Sequence, residues 1–364
     1  MINRLVVENL KHRPVRTLLS VCAIGVEVTM ILTLVGLSRG MLEDSARRAR
    51  GVGADIWVRP PGSSAISFSS APMPEALVGF FERQPHVTLV TGSVAHPIGG
   101  VETVTGMDLE KFSRMSGGLK FLSGGPFHGP DDILIDERYA TQKGLKTGDT
   151  LVLMNRNWRV AGVVEPGKLA RLLVPLKRLQ ELTGNTGKLS QIFVKIDDPK
   201  QVDAVIAGFK AQLPGYQIYS VEEFTSLFTF NNVPGLRQFI IIVVTLSVIV
   251  GFLVIFLSMY TAVLERTREI GILKSLGASH GYILGILLRE TAMLALIGSV
   301  LGVLLSYGTR WVVVLYGGAQ LTQVIVPDWW PIAGAIAVVS ALLGAGYPGW
   351  KAVRQDVLSA LTYE

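Results

Sequence analysis

A phosphate-binding loop, a metal cluster and a nucleophile elbow each need fixed residue types at fixed spacings, and this chain approaches only the first. Gly184-Asn185-Thr186-Gly187-Lys188 has the closing Gly-Lys pair of a loop that wraps phosphate with backbone N–H groups. Leu182 stands where that loop needs its first glycine, and Leu189 where a hydroxyl would hold magnesium. The stretch therefore reads as a surface turn after a short helix. The histidines, at 12, 86, 96, 128 and 280, share no ligand spacing, so a zinc site is not expected. His128 lies in the Gly/Pro loop Gly124–Pro130 and reads as a solvated loop residue. No G-x-S-x-G elbow occurs. Asp131-Asp132 and Asp197-Asp198 are adjacent carboxylates, which point apart, so they read as turn or cap residues rather than an acid–base pair. No credible catalytic set emerges, and an enzyme is disfavoured.

One acid stands apart. Glu27 lies between Val26 and Val28 in an otherwise apolar window. A charge at the centre of a bilayer costs at least about 2.5 kcal/mol, so Glu27 must be protonated, paired or turned toward protein or water. It is either a substrate or gating contact at a helix interface or a residue hydrogen-bonded between helices, with Thr29 or Thr33 as nearby partners.

The window around Glu27 is the first of four. The chain is 49% apolar and 17% charged, with a positive mean hydropathy, on the membrane side of soluble averages. Thr17–Leu37 has 21 residues and one charge, enough to span about 30 Å as a helix. Phe239–Val263 has 25 residues and none. A third window runs from Tyr282 to Leu315, with Arg289 and Glu290 near its start. The fourth opens on Trp329-Trp330-Pro331, interfacial aromatics with a proline at the first helical turn. The first window exceeds a signal-peptide apolar core and no small-residue cleavage site follows closely, so it is expected to be a retained span.

This gives a membrane protein of four transmembrane α-helices with a large α+β extracytoplasmic domain inserted between helices 1 and 2. The expected boundaries are an N-terminal flank at 1–16, span one at 17–38, the outer domain with stalk helices at 39–235 and span two at 236–263. A cytoplasmic segment follows at 264–281, span three at 282–316, an outer loop at 317–329, span four at 330–348 and a tail at 349–364. Basic flanks at Arg4, Lys11, Arg13, Arg16, Arg266, Arg268, Lys274, Lys351 and Arg354 put both termini and 264–281 in the cytoplasm. The outer block carries 22 Lys/Arg against 20 Asp/Glu, and long translocated domains are exempt from that rule. The net charge of +6 belongs mostly to the flanks, and no basic-aromatic stripe suggests nucleic acid. The single cysteine, Cys22, lies in span one, so the outer domain has no disulfide within the chain.

In the outer domain, strand-like runs appear at Asp55–Arg59, Val87–Val94, Glu102–Met107, Ile133–Asp136, Thr150–Met154, Trp158–Val164 and Gln191–Ile196. A hairpin turn is expected at Asn155-Arg156-Asn157. Helical patterns appear at Pro74–Gln84, Glu137–Lys143, Leu176–Thr183 and Pro199–Gln212. Ser38–Arg50 continues span one in helical register, and Val221–Phe230 leads back as a second stalk. Pro60–Pro74 reads as a mobile loop.

Between spans two and three lies Glu265-Arg-Thr-Arg-Glu-Ile-Gly-Ile-Leu-Lys-Ser-Leu-Gly-Ala-Ser279. Ile270, Leu273 and Leu276 recur at helical spacing, ringed by Glu265, Arg266, Arg268, Glu269 and Lys274. Gly277 is a natural helix stop, and Ser279 can cap the next helix. A lipid-resting helix is usually basic throughout, so the mixed charge suits a protein groove better.

This cassette resembles the signature of FtsX-like permeases of ABC transporters, the MacB type. The start, Asn9-Leu10 … Arg13-Pro-Val-Arg-Thr-Leu-Leu19 and Ile24-Gly25-Val26, is similar to the family's entry into span one. So is the close, Tyr347-Pro348-Gly-Trp-Lys-Ala352 … Asp356-Val-Leu-Ser-Ala-Leu361, to its final motif. The outer domain matches in style, with Val104-Thr-Gly-Met-Asp108 and Lys146-Thr-Gly-Asp149. Glu27 departs from the usually apolar pattern of span one. The resemblance implies a coupling helix whose ATPase-docking residues are Glu265, Arg266, Arg268, Glu269, Ile270, Leu273, Lys274, Leu276 and Gly277. It implies two copies of a separate cytoplasmic ABC ATPase, which carry the ATP and Mg, and no cofactor in this chain. It also implies a second permease copy, with a homodimer expected ahead of a heterodimer, in a bacterial plasma (inner) membrane. A periplasmic membrane-fusion adaptor is an optional further partner. ATP-driven closure would travel through the stalks to the outer domains. The alternatives are an FtsX-like scaffold that activates cell-wall hydrolases and a lipoprotein-release permease.

Overall fold

The structure, a computed structural model, describes residues 13–63, 71–99, 102–229, 232–233, 235–316 and 321–354. Residues 64–70 of the Pro60–Pro74 loop, the first twelve residues and the last ten lie outside them. The chain divides into two units. One takes the sequence up to Ser38, Gly235–Val313 and Gln323 onward, and the other takes Arg39–Pro234 with Val314–Thr322.

The second unit is built on a sheet. Its strands are β1 (Ile56–Arg59), β2 (Met73–Pro74), β3 (Val87–Gly99), β4 (Glu102–Met107), β5 (Phe121–Gly124), β6 (Asp132–Asp136), β7 (Thr150–Leu153), β8 (Arg156–Val164), β9 (Leu172–Pro175), β10 (Lys188–Leu189), β11 (Gln191–Ile196) and β12 (Gln217–Ser220). The main sheet runs β12-β1-β11-β3-β4-β9-β6-β8-β5, with β7 on β8, and β10 pairs with β2 separately. β4–β9 and β6–β8 are parallel and the other pairs antiparallel. Alternation of side chains along each strand divides the interior into two cores. On β1, Ile56 and Val58 enter a core with Phe81, Trp158, Leu179 and Phe209. Trp57, between them, enters another with Phe193, Phe112, Met115 and Phe224.

Helix α1 (Pro14–Arg50) is one unbroken element, and its last turns belong to this unit. Ala49 is buried in the Trp57 core. The remaining helices here are α2 (Leu77–Glu82), α3 (Leu109–Ser116), α4 (Glu137–Lys143), α5 (Leu176–Leu182), α6 (Val202–Gln212) and α7 (Val221–Ser226). The helix α3 was not among the expected elements, although its ends are signalled. Asp108 accepts hydrogen bonds from the N–H groups of Glu110 and Lys111, and Gly117 closes it at a φ of 72°. The β7–β8 turn is Met154-Asn155, with φ 53° and 56°, not Asn155-Arg156-Asn157. Arg156 and Asn157 already pair with Leu153 and Val152. A two-residue loop with both φ positive matches the strand twist better than a longer one, and it sets the register that buries Trp158. The second stalk is short, because α7 ends at Ser226.

The first unit is helical. It holds α1 up to Ser38, α8 (Leu236–Glu265), α9 (Thr267–Ser275), α10 (His280–Tyr316) and α11 (Trp330–Arg354). The helices α1, α8 and α10, and α11 with the turn before it, are long and apolar enough to cross a membrane. Small residues bring them together, as in bilayers, where packing rather than water expulsion drives association. Gly298 and Gly302 of α10 face Ile24 and Val28 of α1, and Gly344 of α11 faces the backbone of α8 at Phe252. The buried stripe of α11 is Ala333, Ala337, Ser340, Ala341, Gly344 and Ala345.

Candidate functional site

No nucleotide or acid–base constellation assembles from the residues first suspected. Gly184 and Gly187 have φ near 67° and 69° in the turn that follows α5. Asp198 caps the 3-10 turn Pro199–Gln201, and Asp197 meets exposed His86. Asp132 accepts from the N–H groups of His128 and Gly129 at 2.6 and 2.9 Å and from Arg159 at 2.8 Å, which fixes the loop before β6. Burial pushes its carboxyl up, but the Arg159 hydrogen bond and the two N–H groups outweigh that and bring it down to about 2. These carboxylates shape turns.

The site therefore centres on α9. Ile270 and Gly271 are buried, and so are Arg266 and Thr267 at its start. Arg266 donates to Glu290 of α10 at 3.1 Å, and Arg16 of α1 donates to the other oxygen of Glu290 at 2.7 Å. Glu290 is 0% exposed. Removing one partner of such a buried pair typically costs about 3–5 kcal/mol, so the entry to α9 is pinned. The far end is closed by a Schellman motif: Ala278 N–H donates to Leu273 O, Gly277 N–H to Lys274 O, and Gly277 has a φ of 90°. Ser279 then accepts from Tyr282 N–H to open α10.

Pinned in this way, α9 presents Arg268, Glu269, Ile272, Leu273 and Leu276 outward, with Leu276 80% exposed. Of the expected docking residues, Arg266 and Ile270 are buried, because one is held by Glu290 and the other fills the helix's packed side. Glu265 is exposed and pairs with Arg13. Gly277 is exposed, and Lys274 is half-buried. Ile272 was not anticipated, although its i+4 relation to Arg268 and its place beside Leu273 mark the same outward stripe. Glu290, Arg16 and Arg266 also escaped sequence reasoning as a cluster, because Glu290 lies far along the chain from Arg16.

Glu27 is 3% exposed. Its partner is Ser340 of α11, at 3.1 Å, rather than Thr29 or Thr33. Thr29 donates to the carbonyls of Gly25 and Gly302, and Thr33 meets Thr309. Gly251 of α8 lies against the Glu27 carboxyl so closely that a Cβ there would collide with it. The residue is thus a packed polar knob among three helices.

In the sheet unit, a second charged cluster holds the end of α1. Arg171, 2% exposed, donates to Asp44 at 2.7 Å and to Asp136 at 3.2 Å. Asp44 also takes Arg48 and Arg138, and Asp136 caps α4 through Tyr139 N–H at 2.8 Å. Burial pushes the Asp136 carboxyl up, opposed by the Tyr139 N–H and the nearby arginines. Arg171 immediately precedes β9 and Asp136 ends β6, so the helix is tied to the middle of the sheet.

Four apolar helices, a short pinned helix between two of them and a sheet domain inserted after the first define a polytopic membrane protein. A model of the MacB-like periplasmic core domain matches residues 17–212, and one of the FtsX-like permease C-terminal region matches residues 241–357. The chain belongs to this family, the FtsX-like, MacB-type permeases of ABC transporters. It is 31% identical over 212 residues to the uncharacterized ABC transporter permease YknZ of Bacillus subtilis, covering 54% of this chain and 50% of that one. It is 24% identical over 391 residues to the macrolide export ATP-binding/permease protein MacB of Escherichia coli, covering 98% and 59%. The chain spans about half the length of the curated relatives it matches. Among solved structures, the periplasmic region of MacB from Actinobacillus actinomycetemcomitans aligns with a TM-score of 0.38 at 16% identity, over 49% of this chain and 94% of that one.

Proposed function

We propose that this permease works with two copies of a cytoplasmic ABC ATPase and transmits their ATP-driven closure to its sheet domain on the other side of the membrane. The observation that carries the reading is the outward stripe Arg268, Glu269, Ile272, Leu273 and Leu276 on a helix fixed at both ends. Apolar side chains ringed by opposite charges suit a protein groove, where the leucines desolvate and the charges set register. The ATP and magnesium belong to that partner. The unbroken α1, whose outer turns enter the Trp57 core and the Arg171 cluster, supports transmission through a stiff element. The basic flanks support a location in a bacterial inner membrane with both termini and α9 inside. A second copy of the chain completes the unit, and a periplasmic adaptor is an optional addition.

The test is copurification with the ATPase and ATPase stimulation in membranes. Leu273→Asp and Glu269→Arg should each abolish stimulation by the permease while leaving its expression intact. Stimulation retained in both variants, or labelling of Lys274 from outside, would overturn the proposal.

A further inference from the structure

The end of α1 carries more positive charge than the sheet unit answers. Arg48 turns to Asp44. Arg47 and Arg50, on either side of it, are exposed and meet no carboxylate among the described residues. Arg50 reaches only the Thr225 hydroxyl, at 3.5 Å. Neither arginine is needed to close the helix, the ordinary use of a cation at this end. The last four carbonyls of α1 are met by backbone N–H groups instead. Arg47 O accepts from Gly51, Arg48 O from Leu169, Ala49 O from Val52 and Arg50 O from Gly53, at 2.9, 3.1, 3.3 and 3.1 Å.

Both arginines line a cleft of about 430 Å³ between the end of α1, the β8–β9 loop and the residue before β5. Its walls meet backbone to backbone, since a Cβ on Gly51 would lie 2.0 Å from the carbonyl oxygen of Gly167. Lys120, Glu165 and Lys168 complete the charged lining, four cations against one carboxylate. Lys120 and Glu165 pair at 3.3 Å. Lys168 donates to the carbonyls of Ser116 and Gly118, dipoles that hold its ammonium without neutralising it. Burial pulls that ammonium below the ordinary lysine range, opposed only by Glu165. Arg47, Arg50 and Lys168 are thus left without a matching anion. We propose that this cleft binds a multiply charged oxyanion, the phosphate group of a soluble molecule outside the membrane. Two guanidiniums grip phosphate oxygens through paired N–H donors, and Lys168 supplies the third positive charge. A phospholipid of the surrounding bilayer is the poorer source. Arg47 follows Leu37, the end of the first apolar window, by ten residues, a rise of about 15 Å along one helix. The headgroup layer is only about 5–8 Å thick.

The test uses the full chain in neutral detergent at low salt, titrated with inorganic pyrophosphate and read by calorimetry and thermal unfolding. Pyrophosphate should bind saturably and raise the Tm, and added salt should weaken it. Arg47→Gln and Arg50→Gln each remove one exposed charge, so both should fold as the parent does and bind about tenfold more weakly. Arg83→Gln removes an exposed arginine of the same unit outside the cleft and should bind as the parent does. No saturable binding below about 10 mM, an equal loss in Arg83→Gln, or undiminished binding in the Arg47→Gln/Arg50→Gln double variant would overturn the proposal. So would competition with pyrophosphate by phosphatidylglycerol in nanodiscs where phosphatidylcholine has none, since a lipid headgroup would then fill the cleft. Binding is read without the ATPase, so its failure leaves the docking proposal standing, and the reverse holds.

Discussion

Arg171→Met tests whether the end of α1 is held to the sheet by charge. The substitution keeps the length of the side chain and removes its two ion pairs, to Asp44 and Asp136. Asp44 retains Arg48 and Arg138, so most of the loss falls on Asp136. That carboxyl is 4% exposed and keeps the Tyr139 N–H. Breaking one side of a buried pair costs about 3–5 kcal/mol, and the remaining partners place this case near about 3. For a domain of this size about 2–4 °C is lost per kcal/mol, which predicts a fall in Tm of about 6–12 °C. Tryptophan fluorescence of the full chain in detergent is a suitable readout, because Trp57 stacks on Phe224 at 4.2 Å within the core that α1 enters. Adding Asp136→Asn removes the stranded charge, and the double variant should melt above Arg171→Met alone. A fall under 2 °C for Arg171→Met, or no recovery in the double variant, would refute the reasoning.

Two further outcomes follow from particular contacts. Gly251→Ala should lower the Tm of the helical unit, at a cost of about 1–3 kcal/mol for overpacking, because its Cβ meets the Glu27 carboxyl. Gly251→Ala with Glu27→Ala should recover part of that loss, and strict additivity would show that the two residues do not touch. Asp132 has its carboxyl depressed to about 2 from an ordinary value of 3.8. Its stabilisation is therefore full above about pH 4 and lost as pH falls through about 2, amounting to about 1–2 kcal/mol after discounting for the half-exposed Arg159. In denaturant titrations from pH 5 to 2, Asp132→Asn should lack that component, and parallel curves for the two proteins would count against it.

Much of the sheet was legible wherever strands alternate or carry β-branched runs, as at Glu102–Met107 and Gln191–Ile196. The strands Phe121–Gly124, Leu172–Pro175 and Gln217–Ser220 were missed. Each has four residues. β9 lies in the middle of the sheet between β4 and β6 and is apolar on both faces, so its sequence reads as an unassigned run. On α9 the helical period was visible, but the phase of the buried face was not. Ile270 and Leu273 are equally apolar, and only the arginine anchor before them turns one inward and the other out.

By itself, the sequence determined the four apolar helices, the inserted α+β domain and the short charged helix with its glycine stop and serine cap. These follow from local length, periodicity and capping, which each segment carries alone. Tertiary structure decided which charges pair. Arg16 and Glu290 come from two different helices and Arg266 from the turn between two others, and Asp44, Asp136 and Arg171 come from distant parts of one domain. A buried ion must be met by whatever group the fold brings within about 3 Å of it, and nothing in the local sequence says which group that is.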